Sequence, residues 1–93
     1  MLSKIPEDFK KMKGEVLDRE LLRLGIVSEL DAINLYEQLA SWANDPFIKK
    51  VFLDIAKEEK THVGEFQTVL LENDKEQVDE IENAKEEIKK LKE

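Results

Sequence analysis

The chain of 93 residues contains no cysteine, only two prolines and three glycines, and a single histidine. The absence of cysteine excludes disulfides, zinc–thiolate sites, iron–sulfur clusters and thiol catalysis together. No run of about 20 apolar residues is present that would cross a membrane. No basic segment followed by an apolar stretch and a cleavage site marks a secretory signal. We therefore predict a cytoplasmic protein.

Positive charge is also scarce, because 15 Lys and Arg residues stand against 22 Asp and Glu residues, a net charge of −7. Nucleic-acid backbones and anionic membranes require a cationic face, so we predict neither as a partner. The acidic excess suits attraction of cations, but on charge alone a well-solvated surface is the better explanation. A chain of this size buries a small share of its surface when folded alone, so a lone monomer is expected to be marginal.

The spacing of apolar residues predicts an all-α fold with an antiparallel hairpin of two long helices and a short C-terminal helix. We predict a lead-in over 1–14 and helices over 15–44, 46–72 and 74–92, all in one domain. The connection Asn44-Asp45-Pro46 separates the long helices, since Asn can end a helix, Asp can cap the next, and Pro fits its first position. So short a connection makes the two helices antiparallel neighbours.

Capping residues mark the remaining boundaries. Ser3 is predicted to cap a helical turn opened by Pro6, and Gly14 to interrupt it. Asp74 and Gln77 are spaced like a variant capping box at the start of the third helix. That helix carries a narrow apolar stripe and is predicted to serve packing or oligomer contacts: Val78, Ile81, Ile88 and Leu91.

Polar residues interrupt the apolar seam of each long helix. The steps between seam residues alternate between three and four, the spacing of side chains that face a partner helix. The first seam is Leu22, Ile26, Glu29, Ile33, Tyr36 and Ala40, and the second is Ile48, Phe52, Ile55, Glu59, His62, Phe66 and Val69. An unpaired carboxylate costs several kcal/mol to bury, so these interruptions require compensation.

The three polar groups are predicted to meet at one height of the hairpin. Glu29 lies 16 residues before Asp45, and Glu59 and His62 lie 14 and 17 residues after it. At about 1.5 Å per residue, all three fall roughly 21 to 26 Å from the turn. Carboxylates and an imidazole suit iron, manganese or zinc. Glu59-x-x-His62 alone is a weak signal, and Glu29 alone could pair with a Lys or Arg, but their coincidence favours a metal site.

Three ligand residues cannot fill the coordination spheres of two metal ions. Di-iron four-helix bundles use one Glu from each of two helices and a Glu-x-x-His from each of the other two, and this chain holds one of each kind. A second copy related by a two-fold axis would supply the rest. A further apolar stripe on the first helix favours contacts beyond the hairpin: Leu17, Leu21, Leu24, Leu35, Leu39 and Trp42.

The segments from Ser28 to Tyr36 and from Glu58 to Phe66 resemble the encapsulated ferritins, small ferritin-like proteins that work inside encapsulin nanocompartments. The resemblance covers roughly residues 18–72 and rests on a Glu followed thirty residues later by Glu-x-x-His. It implies that Glu29, Glu59 and His62 bind iron and catalyse its oxidation, with two Fe per dimer. It also implies that Tyr36 lies just outside the ligands, and that dimers form a four-helix bundle and assemble into a ring, commonly a decamer.

The resemblance further implies a ferroxidase that oxidises Fe(II) to Fe(III) for storage by an encapsulin shell protein in the cytoplasm. Some members carry acidic residues for metal uptake at the positions of Ser28 and Asp31, but the serine departs from that pattern, leaving Asp31 as a candidate. The chain ends in Leu91-Lys92-Glu93 without a docking extension. Two explanations for this stay open: the chain is a domain of a longer shell-protein fusion, or the docking signal has been left out. Two rival functions also stay open, a rubrerythrin-like di-iron peroxidase or oxidase and a non-enzymatic helical adaptor.

Overall fold

Helices account for all the regular structure of residues 4–93, the part of the chain that the computed structural model describes. A short 3-10 helix spans Glu7–Lys11 and precedes three α-helices: α1 (Gly14–Trp42), α2 (Pro46–Glu72) and α3 (Lys75–Leu91). Within these described residues no strand is present, in agreement with the predicted all-α class. The predicted cap at Ser3 lies outside the described residues.

The first long helix is bounded differently from the prediction over 15–44. It begins at Gly14, whose φ of +64° is the left-handed conformation that glycine adopts without penalty. It ends at Trp42 because the backbone of Ala43 is extended, and the Ala43 N–H closes the last turn by donating to the carbonyls of Leu39 and Ala40. Asn44 therefore lies in the turn, after the helix has ended.

Aspartate caps begin the other two helices. The Asp45 carboxylate accepts a hydrogen bond from the Phe47 N–H at 2.8 Å, with Pro46 in the first turn. The Asp74 carboxylate accepts from the Gln77 N–H at 3.1 Å, so α3 begins one residue later than predicted, with Asp74 as its cap. Each cap satisfies a backbone N–H that the helix itself leaves unpaired.

Helices α1 and α2 pack as an antiparallel pair. Near the turn, the rings of Tyr36 and Phe52 stack with centroids 6.3 Å apart. Near the open end, the Phe66 ring lies against the backbone of Gly25, where an added Cβ would approach ring carbons to 3.1 Å. Glycine at this position therefore leaves room for the Phe66 ring against α1.

The core of the hairpin is small. Its buried apolar residues are Ile33, Ala40, Ala56 and Leu70. The predicted seams contain the first two but omit the other two, and they include Ile48 and Val69, which are exposed. Two helices shield each other on one side only, so seam residues on the outer edge have no neighbour within the chain.

The described chain is flat, with extents of 46 × 45 × 17 Å. Large apolar side chains consequently remain exposed on both long helices, including Leu21, Leu35 and Trp42 of the second predicted stripe on α1. Trp42 is 85% exposed. Within residues 4–93, no helix has the length and apolar character needed to span a membrane.

Candidate metal centre

The hairpin brings the three predicted ligands together. A carboxylate oxygen of Glu29, one of Glu59 and an imidazole nitrogen of His62 lie within 4.8 Å of one another. His62 Nδ1 is 3.5 Å from Glu29 Oε2 and equally 3.5 Å from Glu59 Oε2. Glu59 and His62 are neighbours because residues three apart share one helical face. Glu29 joins them from α1 because the antiparallel pairing sets it at their height.

Both carboxylates are largely buried, and that of Glu29 lacks a hydrogen-bond partner for one oxygen among the described residues. The Glu29 and Glu59 side chains are only 18% and 19% exposed, whereas His62 is 46% exposed. Glu29 Oε2 is a buried atom without a hydrogen-bond partner in the described structure. Leaving a buried acceptor unpaired costs about 1–3 kcal/mol, more when it is charged. The fold thus holds two acidic groups together in a position that favours a cation between them.

Ion pairing with a basic side chain does not supply the compensation. Among residues 4–93, His62 is the only side chain able to carry a positive charge within 4 Å of either Glu29 or Glu59. Lys60, which neighbours Glu59 in sequence, instead reaches Glu37 at 3.7 Å. The alternative in which Glu29 is a core carboxylate paired with Lys or Arg is therefore wrong for the described chain. The residues present fit a divalent metal, because their oxygen and nitrogen donors match its preferences.

Two other residues singled out from the sequence lie away from this cluster. Tyr36 stacks on Phe52, one heptad nearer the turn than Glu29 and Glu59. Asp31 is exposed and does not belong to the group of converging ligand atoms. Their roles near the metal and in its uptake stay predictions.

An open groove beside the cluster contains a carboxylate that sequence reasoning did not single out. Glu65 lines it together with Glu29 and His62. The groove has a volume of about 370 Å³, and its remaining walls are apolar: Leu22, Phe66 and Val69. Glu65 lies three residues after His62, so helical spacing alone could have indicated its place next to the ligand face.

Comparisons with known proteins agree with the predicted ferritin-like helical fold. The family model described as rubrerythrin matches residues 20–93. The ferritin-like–encapsulin shell fusion protein of Pyrococcus furiosus is 56% identical over 72 residues, which is 77% of this chain and 21% of that protein. The chain thus spans about a fifth of the length of this relative.

A solved structure extends the similarity to nearly the whole chain. The crystal structure of the encapsulated ferritin domain from Pyrococcus furiosus superposes with a TM-score of 0.82 at 44% sequence identity. The match covers 98% of this chain and 88% of that one. The predicted resemblance to encapsulated ferritins is confirmed, and the chain belongs to the rubrerythrin family, within which it groups with the encapsulated ferritins.

Proposed function

We propose that the protein is a ferroxidase that oxidises Fe(II) to Fe(III) at a di-iron site shared between two copies of the chain. The observation that carries the proposal is the convergence of Glu29, Glu59 and His62 within 4.8 Å, with a Glu29 oxygen buried and unpaired. Carboxylates in a mostly buried setting favour hard divalent cations, and imidazole is a common ligand of iron. Membership of the rubrerythrin family supports iron as the metal.

A second copy completes the site in this proposal. One chain offers two carboxylates and one imidazole, too few donors for two iron ions, whereas two chains offer four carboxylates and two imidazoles. The exposed side of His62 supports this arrangement. Three apolar residues share the face of α2 that carries His62. Ile48 lies 14 residues before His62, Val51 lies 11 residues before it, and Val69 lies 7 residues after it. All three are exposed apolar side chains, so a partner hairpin would bury them while reaching the metal.

The chain's own residues hold and orient the ions. Glu29 and Glu59 of two chains would together supply four negative charges to offset those of two divalent cations, and His62 would add a nitrogen donor from each α2. Bound iron supplies the electrons, as each Fe(II) gives one electron to dioxygen or peroxide and becomes Fe(III). The side chains themselves need to transfer few protons. The protein therefore contributes mainly by positioning the ions in a surrounding of low dielectric constant.

Storage in an encapsulin compartment is the proposed cellular setting. The relative from Pyrococcus furiosus is named as a fusion of a ferritin-like part with an encapsulin shell, and the solved neighbour as an encapsulated ferritin domain. A flat layer 17 Å thick does not enclose a mineral cavity, so Fe(III) produced here would be stored outside the chain. We propose a shell protein as the partner that encloses it, with the dimers assembled into a ring.

The direct test is iron oxidation by defined variants. Purified protein is loaded anaerobically with Fe(II), exposed to air and followed by the absorbance of Fe(III). Glu29→Ala and His62→Ala are expected to lose the rapid phase, while Glu58→Ala, which changes an exposed carboxylate next to Glu59, keeps the parental rate. Ligand variants that oxidise iron as fast as the parent would refute the proposal.

The same assay separates the rival functions. A rubrerythrin-like peroxidase, which the family match favours as second candidate, would oxidise the loaded iron much faster with hydrogen peroxide than with dioxygen. A storage ferroxidase turns over with dioxygen and accumulates Fe(III). A helical adaptor in which Glu29 and His62 only fix the pairing of helices would bind no iron above the level of the ligand variants.

A further inference from the structure

The single histidine of the chain has one ring nitrogen that the metal centre does not use. His62 Nδ1 is 3.5 Å from Glu29 Oε2 and 3.5 Å from Glu59 Oε2, and it makes both ion-pair contacts that His62 forms among residues 4–93. A neutral imidazole carries a proton on one nitrogen only, so a ring that offers Nδ1 to a metal carries its proton on Nε2. Because the two nitrogens lie on different sides of the ring, this N–H faces away from the two carboxylates and is open to another acceptor.

Glu65 is placed to accept that hydrogen bond. It follows His62 by three residues, and side chains three apart on an α-helix share one face, with Cβ atoms about 5–6 Å apart. Both side chains line the same open groove of about 370 Å³. Within the described residues, the Glu65 carboxylate forms none of the ion pairs of α2 and does not contact the His62 ring within 4 Å. Because the Glu65 side chain is exposed, a change of rotamer can turn it to the ring.

Among the described residues that line the groove, Glu65 is the one side chain available as this acceptor. Glu29 is the other carboxylate in the lining, but it already belongs to the ligand set. The remaining walls are apolar. Backbone carbonyls in the middle of α2 are occupied by the hydrogen bonds of the helix itself. Apolar walls also limit the water that competes for the Nε2–H donor, which strengthens a hydrogen bond made inside the groove.

We infer that Glu65 is a positioning residue whose carboxylate accepts a hydrogen bond from His62 Nε2–H and thereby holds Nδ1 towards the other two ligands. Such a bond fixes which ring nitrogen carries the proton, and it makes the opposite nitrogen a stronger donor to a metal. The inference rests on the proposed function, because it requires His62 to bind a metal. It adds a residue outside the three converging ligands, with a role that acts through one of them.

The size of the effect follows from the exposure of the two groups. Loss of the partner behind a metal-binding histidine typically lowers metal affinity about 10- to 100-fold. His62 is 46% exposed, so water partly replaces the lost acceptor, and we expect a decrease at the lower end, about tenfold. Glutamine at position 65 retains a carbonyl oxygen that accepts the same hydrogen bond, so Glu65→Gln should lose less affinity than Glu65→Ala.

Cobalt(II) is the probe that tests the inference, because the same oxygen and nitrogen donors bind it and it separates metal binding from iron oxidation. Its unpaired electrons move the proton NMR signals of its ligands far from those of the rest of the protein. An N–H proton among these signals is recognised by its loss in D2O. Since the chain contains one histidine, such an imidazole signal belongs to His62.

Full-length parent protein loaded with Co(II) should show this exchangeable ring signal, because the hydrogen bond to Glu65 slows exchange of the proton with water. Glu65→Ala should lose the signal through rapid exchange and bind Co(II) about tenfold more weakly, as measured by competition with a coloured chelator. Glu65→Gln should keep the signal. A purely structural role of Glu65 would not change the exchange of this one proton.

Glu58→Ala is the matched control, since it removes an exposed carboxylate four residues before His62 that does not line the groove. It should keep the signal and bind Co(II) within about twofold of the parent. Visible absorption of bound Co(II) verifies occupancy, and far-UV circular dichroism verifies the helices. A signal that persists in Glu65→Ala, or that is lost equally in Glu58→Ala, would overturn the inference and leave the metal site intact. A parent protein that binds no Co(II) would overturn the proposed function as well.

Discussion

At the scale of single residues, the centre is defined by an energetic conflict. Glu29 and Glu59 are largely buried side by side, and one Glu29 oxygen has no hydrogen-bond partner among the described residues. A protein selected for stability alone would replace one of these carboxylates by a neutral side chain. Two carboxylates held together beside apolar side chains are what the proposed metal site requires.

A conservative substitution separates this explanation from a structural one. Glu29→Gln keeps the shape but removes a charge, so the metal-free protein should gain about 1 kcal/mol, a rise of about 4–8 °C in its melting temperature. The same variant should lose the stabilisation that Fe(II) gives the parent protein. Thermal unfolding with and without metal measures both effects, and Glu58→Gln serves as the exposed control. A lower melting temperature of metal-free Glu29→Gln would mean that the carboxylate is structural.

At the scale of elements, the helix boundaries could be predicted from the sequence where a capping residue marks the start of a helix. Asp45 with Pro46 placed the start of α2, and Asp74 placed the start of α3 to within one residue. The end of α1 was harder to predict, because no glycine or proline directly follows Trp42 and the extended backbone of Ala43 ends the helix. The direction of α3 was not predictable either, since it depends on contacts between residues far apart in the sequence.

The same limits apply to the site. Helical period and distance from the turn were enough to bring Glu29, Glu59 and His62 to one height. The place of Glu65 on the groove and the stacking of Tyr36 on Phe52 depend on the rotation of each helix about its axis, which periodicity fixes only to within part of a turn. Which apolar face a second copy would cover cannot be predicted from periodicity, because it depends on how the surfaces of two folded chains fit together.

Asp74 is the residue that links α3 to the hairpin. Its side chain is 12% exposed, caps α3 through the Gln77 N–H and contacts Arg23 of α1 at 2.9 Å. Asp74→Ala should cost about 2 kcal/mol through loss of both interactions, whereas Asp74→Asn, which still caps, should cost about half as much. Urea unfolding measures the two costs. Equal costs for both substitutions would show that the cap contributes nothing.

At the scale of the whole molecule, the described chain is a thin structure with much exposed apolar surface. Its thickness of 17 Å corresponds to one layer of helices, and it leaves apolar side chains exposed along both faces of the hairpin. A domain of this size buries a comparatively small share of its surface when folded alone, so we expect another copy to cover this apolar surface. Assembly and metal binding are therefore expected to be coupled, since the apolar face of α2 and the ligands share one side.

Two exposed apolar residues of α2 test which face is covered. Val69 lies on the His62 side and is 43% exposed, whereas Leu53 lies about 180° around the helix from His62 and is 48% exposed. Val69→Lys should weaken the dimer at least about tenfold and slow iron oxidation in parallel, because it sets a charge in the covered face. Leu53→Lys should leave both close to the parental values. Sedimentation velocity gives the dimer fraction, and the opposite ranking of the two variants would place the interface elsewhere.

The shared site itself is tested most directly by native mass spectrometry of the full chain loaded anaerobically with Fe(II), which reports copy number and metal content in one spectrum. We expect that dimers, or multiples of dimers, carry one iron per chain, that monomers carry none, and that His62→Ala carries none in any state. Monomers that retain bound iron, or dimers that assemble fully without it and bind none, would contradict a di-iron centre built by two chains.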